Sequence, residues 1–216
     1  MHFVPAGRGR ARRSMERVNR MVRWLARLRV GAHYFIPLGG HGWRGCLGYA
    51  RAGLEIHEQA RALGIGNAWV VTAAGSGGTL AGLLAGLRLA ESTLRPLGID
   101  VGGLWKDFPV AIASVAGETC ARLGSPVTFA PEQVPLIEET YVGEAYGVPS
   151  EGCIAAIRRL AAAEGLIIDP VYTGKAFAGM LDLAERGELG DDDPVIFVHT
   201  GGQPALFALG DALLER

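Results

Sequence analysis

The stretch Ala68-Trp69-Val70-Val71-Thr72-Ala73-Ala74-Gly75-Ser76-Gly77-Gly78-Thr79-Leu80-Ala81-Gly82 decides the fold. Ala68–Ala73 is apolar or β-branched without alternation and breaks at a glycine cluster. A continuous run of this kind reads as a strand buried on both faces, as in a parallel sheet. Leu80–Leu89 then reads as a helix. The same order of strand, glycine turn and helix returns near the end of the chain. There Pro194–His199 is a buried strand, Thr200-Gly201-Gly202 is the turn and Pro204–Leu214 is the helix.

Between these units strands and helices alternate. Helices are predicted over about Arg13–Arg29, Gly45–Leu63, Glu151–Glu164 and Gly174–Arg186. Strands are predicted at His2–Pro5, Ala32–Pro37 and Val110–Val115, with a short turn or strand at Gly165–Pro170. A loop rich in Pro and acids spans about Ala130–Pro149. The fold class is therefore α/β: an open, mostly parallel sheet with helices on both faces. In such sheets ligands bind at the carboxyl ends of strands, so the two glycine turns point at one crevice.

Gly75, Ser76, Gly77, Gly78 and Thr79 have the chemistry of a phosphate cup. Glycines let backbone N–H groups crowd around an anion, the helix N-terminus adds positive potential, and Ser76 and Thr79 add hydroxyl donors. No Gly-Lys-Ser/Thr follows, so this is not a nucleotide P-loop. Leu80 stands where a dinucleotide fingerprint needs its third glycine. One phosphate fits better than a pyrophosphate. On spacing alone, a tight turn with a hydroxyl capping the helix remains the alternative. Tyr146 and Tyr172 each sit in a loop constrained by Gly and Pro, where a phenol can serve as an acid–base group or bind a cofactor.

The 216 residues are 49% hydrophobic and 20% charged, with a net charge of −1, which excludes a disordered chain. No apolar run is long enough for a membrane span. Cys46, Cys120 and Cys153 lie far apart with no His at ligand spacing, which speaks against a disulfide framework or zinc site and for free thiols in the cytoplasm. Residues 1–30 hold nine Arg and one Glu. An organelle-targeting segment or a nucleic-acid arm has this composition. So does an Arg-rich surface helix, the reading favoured by the spacing of Met21, Trp24, Leu25 and Leu28 and by the absence of a cleavage-type motif. Only two residues are lysine, Lys106 and Lys175.

Taken together, the motifs resemble the D-cysteine desulfhydrase and 1-aminocyclopropane-1-carboxylate (ACC) deaminase family of pyridoxal 5'-phosphate (PLP) enzymes, with the tryptophan synthase β-like fold called fold type II. The resemblance rests on Ile36-Pro37-x-Gly39-Gly40, Leu47-Gly48-Tyr49, the cup, Tyr146-Gly147-x-Pro149, Asp169-Pro170-Val171-Tyr172-x-Gly174-Lys175 and His199-x-Gly201-Gly202-x-Pro204-Ala205. It implies that Gly75–Thr79 hold the cofactor phosphate, that Tyr146 and Tyr172 are the catalytic phenols, and that Thr173 and Thr200 lie at the cofactor ring. ACC deaminases usually carry Glu and Leu at those last two positions. The threonines place the chain on the desulfhydrase side, with D-cysteine eliminated to sulfide, pyruvate and ammonia; ACC deamination is the alternative. A small amino acid is the implied substrate and a homodimer the implied assembly of a complete enzyme, with no nucleic acid or membrane partner.

Two departures stand out. His41-Gly42 replace the family's frequent Ser-Asn. The family's Schiff-base lysine segment has no counterpart, and Lys175 matches a non-catalytic position. The chain therefore reads as a fragment, with residues 1–36 a remnant of a smaller domain and 37–216 the cofactor-binding domain. Such a fragment would leave an open sheet edge and uncovered apolar surface, and a catalytically inactive remnant is a further reading. A serine hydrolase using Ser76, Asp169 and His199 has the right chain order but lacks a proper nucleophile elbow.

Overall fold

A computed structural model describes residues 15–138, 140–190 and 193–214. Four parallel strands form one sheet in the order β3-β2-β1-β4, with β1 Trp69–Ala74, β2 Arg95–Asp100, β3 Leu136–Ile137 and β4 Val195–Val198. Seven helices are described: α1 Met15–Val30, α2 Trp43–Ala62, α3 Gly78–Leu89, α4 Phe108–Arg122, α5 Glu151–Glu164, α6 Thr173–Glu185 and α7 Pro204–Leu214.

The period-2 geometry of β1 divides the core. Val70 faces one way and packs with Leu83 and Leu87 of α3, Ala60 of α2, and Ile196 and Val198 of β4. Val71 and Ala73 face the other way and pack with Leu97 and Ile99 of β2, Ala176 and Leu183 of α6, and Phe197. Helices thus cover both faces of the sheet, and α5 lies on α6 through Cys153, Ile157 and Phe177. α2 and α3 approach until their backbones touch. A Cβ on Gly86 would come within 2.1 Å of the Ala50 carbonyl oxygen, so no other residue fits that crossing.

The predicted strand Ala68–Ala73, the helices at Glu151–Glu164 and Pro204–Leu214, and the last strand all lie within a residue or so of the observed elements. Two predictions do not hold. Val110–Val115 lies inside α4, which opens with Pro109 in its first turn, a position proline fits because its missing N–H would be unpaired there anyway. Ala32–Pro37 forms no strand, because no strand lies beside it. Of the turn or strand expected at Gly165–Pro170, the turn is found, with Gly165 capping α5 at φ 68°. The strand β2 was not foreseen. The apolar stripe of α1 forms but is not covered: Met21, Trp24 and Leu28 are 48%, 60% and 65% exposed. The predicted strand His2–Pro5 lies outside the described residues.

Candidate functional site

The site gathers at the carboxyl ends of β1 and β4, where Gly75–Thr79 and His199–Gly202 emerge. Gly77 caps α3 in the left-handed region at φ 80°, a conformation that costs any other residue steric strain. A Cβ there would lie 2.7 Å from Ile112 Cγ1 and 2.8 Å from Phe108 Cε2, both deeply buried. Gly77 and Gly78 are buried while Gly75, Ser76 and Thr79 are half-buried. The first turn of a helix has no carbonyl ahead to accept its N–H groups, so the cup presents donors at its open side.

Three other segments close on the cup. Leu38–Gly40 forms a short 3₁₀ turn in which Gly39, at φ 65°, accepts a long bond of 3.5 Å from Ser76 Oγ on its carbonyl. The loop after β2 contributes Trp105, whose indole Nε1 donates to the Gly75 carbonyl at 3.1 Å. The Tyr172 ring lies directly over Gly75, with Cε1 3.1 Å from where a Cβ would stand. The Tyr146 and Tyr172 hydroxyls are hydrogen-bonded to each other, with the rings edge to face and their centroids 5.9 Å apart. Burial, this bond and the nearby Asp169 charge push the Tyr146 phenol above its ordinary range.

Asp169 organises the turn that carries Tyr172. Its Oδ2 accepts from the Val171 and Tyr172 amides at 2.8 Å each, and its Oδ1 accepts from the Thr173 amide at 2.8 Å and the Thr173 hydroxyl at 2.6 Å. Gly202 packs on the same carboxylate, with Asp169 Oδ1 2.4 Å from where its Cβ would stand. One buried carboxylate therefore joins the Tyr172 turn to the turn after β4. Thr173 is fully buried with its hydroxyl committed to Asp169, whereas Thr200 is exposed at the edge of the cleft.

His41 stands behind the cup, its ring 4.8 Å from that of Trp105, and its Nδ1 is buried without a hydrogen-bond partner. Burial holds its pKa below the ordinary value, against the opposing pull of the Ser76 and Ala111 carbonyls. The hydrolase constellation does not assemble. Ser76 Oγ turns to Gly39, Asp169 is spent on backbone amides, and His199 meets Gly201 N–H through Nδ1 and Gln203 through Nε2. Among the described residues no cluster of three or more His, Cys, Asp or Glu could hold a metal ion, and no helix is long and apolar enough to cross a membrane.

Sequence reasoning named the cup and both phenols. It missed Trp105 and the organising role of Asp169. An Asp just before a helix start, as in Asp169-Pro-Val-Tyr-Thr, is a signal that could have found the second.

The residues suit the phosphate end of PLP: a half-buried anion cup at a helix N-terminus with two hydroxyls. They supply no evident amine for the aldehyde end. Lys175 is fully buried, its Nζ donating to the Val142 and Ala145 carbonyls at 2.6 and 3.1 Å, and Lys106 is exposed in the loop before α4.

Comparison with known proteins shows the family. The family described as pyridoxal-phosphate dependent enzyme matches residues 2–201. The chain is 41% identical over 175 residues to a D-cysteine desulfhydrase of Yersinia enterocolitica, covering 81% of this chain and 52% of that protein. It is 41% identical over 182 residues to a putative 1-aminocyclopropane-1-carboxylate deaminase of Pyrococcus furiosus, covering 84% of this chain and 54% of that protein. The crystal structure of an ACC deaminase homologue superimposes with a TM-score of 0.76 at 39% identity, covering 93% of this chain and 58% of that one. The chain thus spans about half the length of the curated relatives it matches. With the family model matching residues 2–201 and the fold in agreement, the chain belongs to the pyridoxal-phosphate-dependent enzymes.

Proposed function

We propose that this chain provides the phosphate cup and phenol pair of a D-cysteine desulfhydrase-like lyase. The overall reaction takes D-cysteine and water to sulfide, pyruvate and ammonia. The observation that carries the reading is the Tyr146–Tyr172 hydrogen bond, with the Tyr172 ring directly over Gly75 of the cup. PLP, when bound, draws electron density from the amino acid's α-carbon.

The chain's own groups supply the rest. Gly75–Thr79 hold the phosphate through N–H groups and the Ser76 and Thr79 hydroxyls. Trp105 and Asp169 fix the turns on either side. The bonded pair of phenols can pass a proton at Tyr172 Oη to a departing sulfur or take one up in return. Thr173 stands where ACC deaminases usually carry Glu, and Thr200 where they usually carry Leu. The absence of that carboxylate supports the desulfhydrase reading over ACC deamination, because a hydroxyl cannot neutralise a protonated ring nitrogen. The Thr173 hydroxyl is moreover bound to Asp169.

The test dialyses PLP against the 216-residue chain, with and without inorganic phosphate, then treats the complex with borohydride. Phosphate-competed binding with nothing fixed onto Lys106 or Lys175 is expected. Absence of phosphate-competed binding overturns the cup. Sulfide and ammonia assays on assemblies containing this chain separate the substrates. Ammonia from ACC without sulfide from D-cysteine moves the protein to the deaminase branch.

A further inference from the structure

The first turn of α6 carries Tyr172 at its cap and Lys175 three residues on. Lys175 points inward, is fully buried, and spends its ammonium on two backbone carbonyls, Val142 at 2.6 Å and Ala145 at 3.1 Å. Those carbonyls belong to the irregular segment that leads into Tyr146. The start of the segment is pinned separately, by the Tyr141 hydroxyl on Asp182 Oδ2 at 2.6 Å. Residues 143–146 are exposed, and the local turn bond there is Val148 N–H to the Ala145 carbonyl at 3.2 Å. Charge-assisted bonds of this kind are roughly twice as strong as neutral ones.

We propose that Lys175 is a positioning residue: it ties the segment before Tyr146 to the helix turn that carries Tyr172 and so holds the two phenols hydroxyl to hydroxyl. The functional meaning rests on the reading of these phenols as site residues; the mechanical link does not. It also gives the family-matching lysine of this turn a task other than bonding to the cofactor. The titratable groups facing Lys175 are Cys153 from α5 and Asp100 at the end of β2, and those facing Tyr146 are Tyr172 and Asp169.

Having two lysines and five tyrosines makes the test simple in a chain labelled for NMR at lysine Nζ, tyrosine Cζ and the valine and alanine carbonyl carbons. In the wild-type chain without cofactor, the Lys175 ammonium should exchange slowly with water and correlate with the Val142 and Ala145 carbonyl carbons, while that of Lys106 exchanges fast. A Lys175 ammonium that exchanges as fast as that of Lys106 overturns the proposal without any substitution. In Lys175→Met, Tyr146 should leave Tyr172 and its ionisation should fall toward about 10, the ordinary tyrosine value. Loss of a nearby positive charge acting through space alone moves a phenol the other way. An unchanged or raised Tyr146 ionisation in a folded Lys175→Met chain therefore also overturns the proposal. Because both readouts use the chain without PLP, failure of PLP to bind removes the cofactor reading and leaves this result untouched.

Discussion

Gly77→Ala is the substitution whose cost can be worked most directly from the geometry. The residue sits at φ 80°, and its new Cβ would stand 2.7 Å from Ile112 Cγ1 and 2.8 Å from Phe108 Cε2. The left-handed conformation costs a residue with a Cβ about 1–2 kcal/mol. Ile112 and Phe108 are 0% and 1% exposed, so neither ring nor branch can swing into solvent. Forcing a methyl between them costs about 1–3 kcal/mol. The total is about 2–5 kcal/mol, a large part of the stability of an ordinary domain. With a urea dependence of about 2–3 kcal/mol per molar, the unfolding midpoint should fall by about 0.7–2.5 M. Gly78→Ala is the control one residue away: its Cβ would meet nothing closer than 3.7 Å, and it occupies a helical position. Alanine there should be neutral or stabilise by up to about 1 kcal/mol. Urea unfolding followed by tryptophan fluorescence reads both. Equal midpoints for the two variants would refute the assignment of Gly77 as the strained, walled-in member of the cup.

Asp169→Asn should destabilise by about 2–3 kcal/mol, because an amide NH₂ would face N–H donors where a carboxylate accepted four bonds; thermal unfolding measures it. Burial holds His41 below its ordinary value of 6.5 in the folded state. The unfolded chain then binds the extra proton first, so this contribution is fully present above about pH 6.5 and is lost as pH falls toward the folded value. Urea midpoints at about pH 8 and about pH 5 should differ less in His41→Gln than in the wild type. Burial pushes the Cys153 thiol up to about 12, so native Cys153 should resist iodoacetamide at about pH 8 and react once the chain is unfolded.

What could be read before any coordinates follows from how each segment is surrounded. β1 is apolar on both sides because helices cover both sides, and its sequence says so. β2 is equally central yet reads Arg-Pro-Leu-Gly-Ile-Asp, with Pro96 and Gly98 at positions that suggest a turn. The fold explains the glycine: a Cβ there would lie 2.5 Å from Leu80 Cδ2, so the space that a strand side chain would occupy is filled from α3. That information sits in another element and is invisible locally. The run Val-Ala-Ile-Ala-Ser-Val misled in the opposite sense. Its residues line a helix with buried positions at Ile112, Ala113, Val115 and Ala116, and short apolar runs do not distinguish a buried helix from a strand. At the site, glycine clusters and constrained tyrosines announce themselves. Lys175, by contrast, reads in the sequence only as a match to a non-catalytic position; its bonds to two distant carbonyls appear only once the chain is folded.

The pairing of β1 has a consequence for how this protein is made. Its partner on one side, β2, begins at Arg95, opposite Trp69, but its partner on the other, β4, begins at Val195, also opposite Trp69. Some hundred further residues must be translated after β2 before β4 exists. At about 5–20 residues per second, the nascent chain spends several seconds or more with an apolar strand edge open at its centre. An open strand edge is a template for pairing with another chain. The cup, whose walls reach from Gly39 to Gly202, is likewise completed only near the end of synthesis. Anything that covers the β1 edge during those seconds should therefore raise the yield of folded chain.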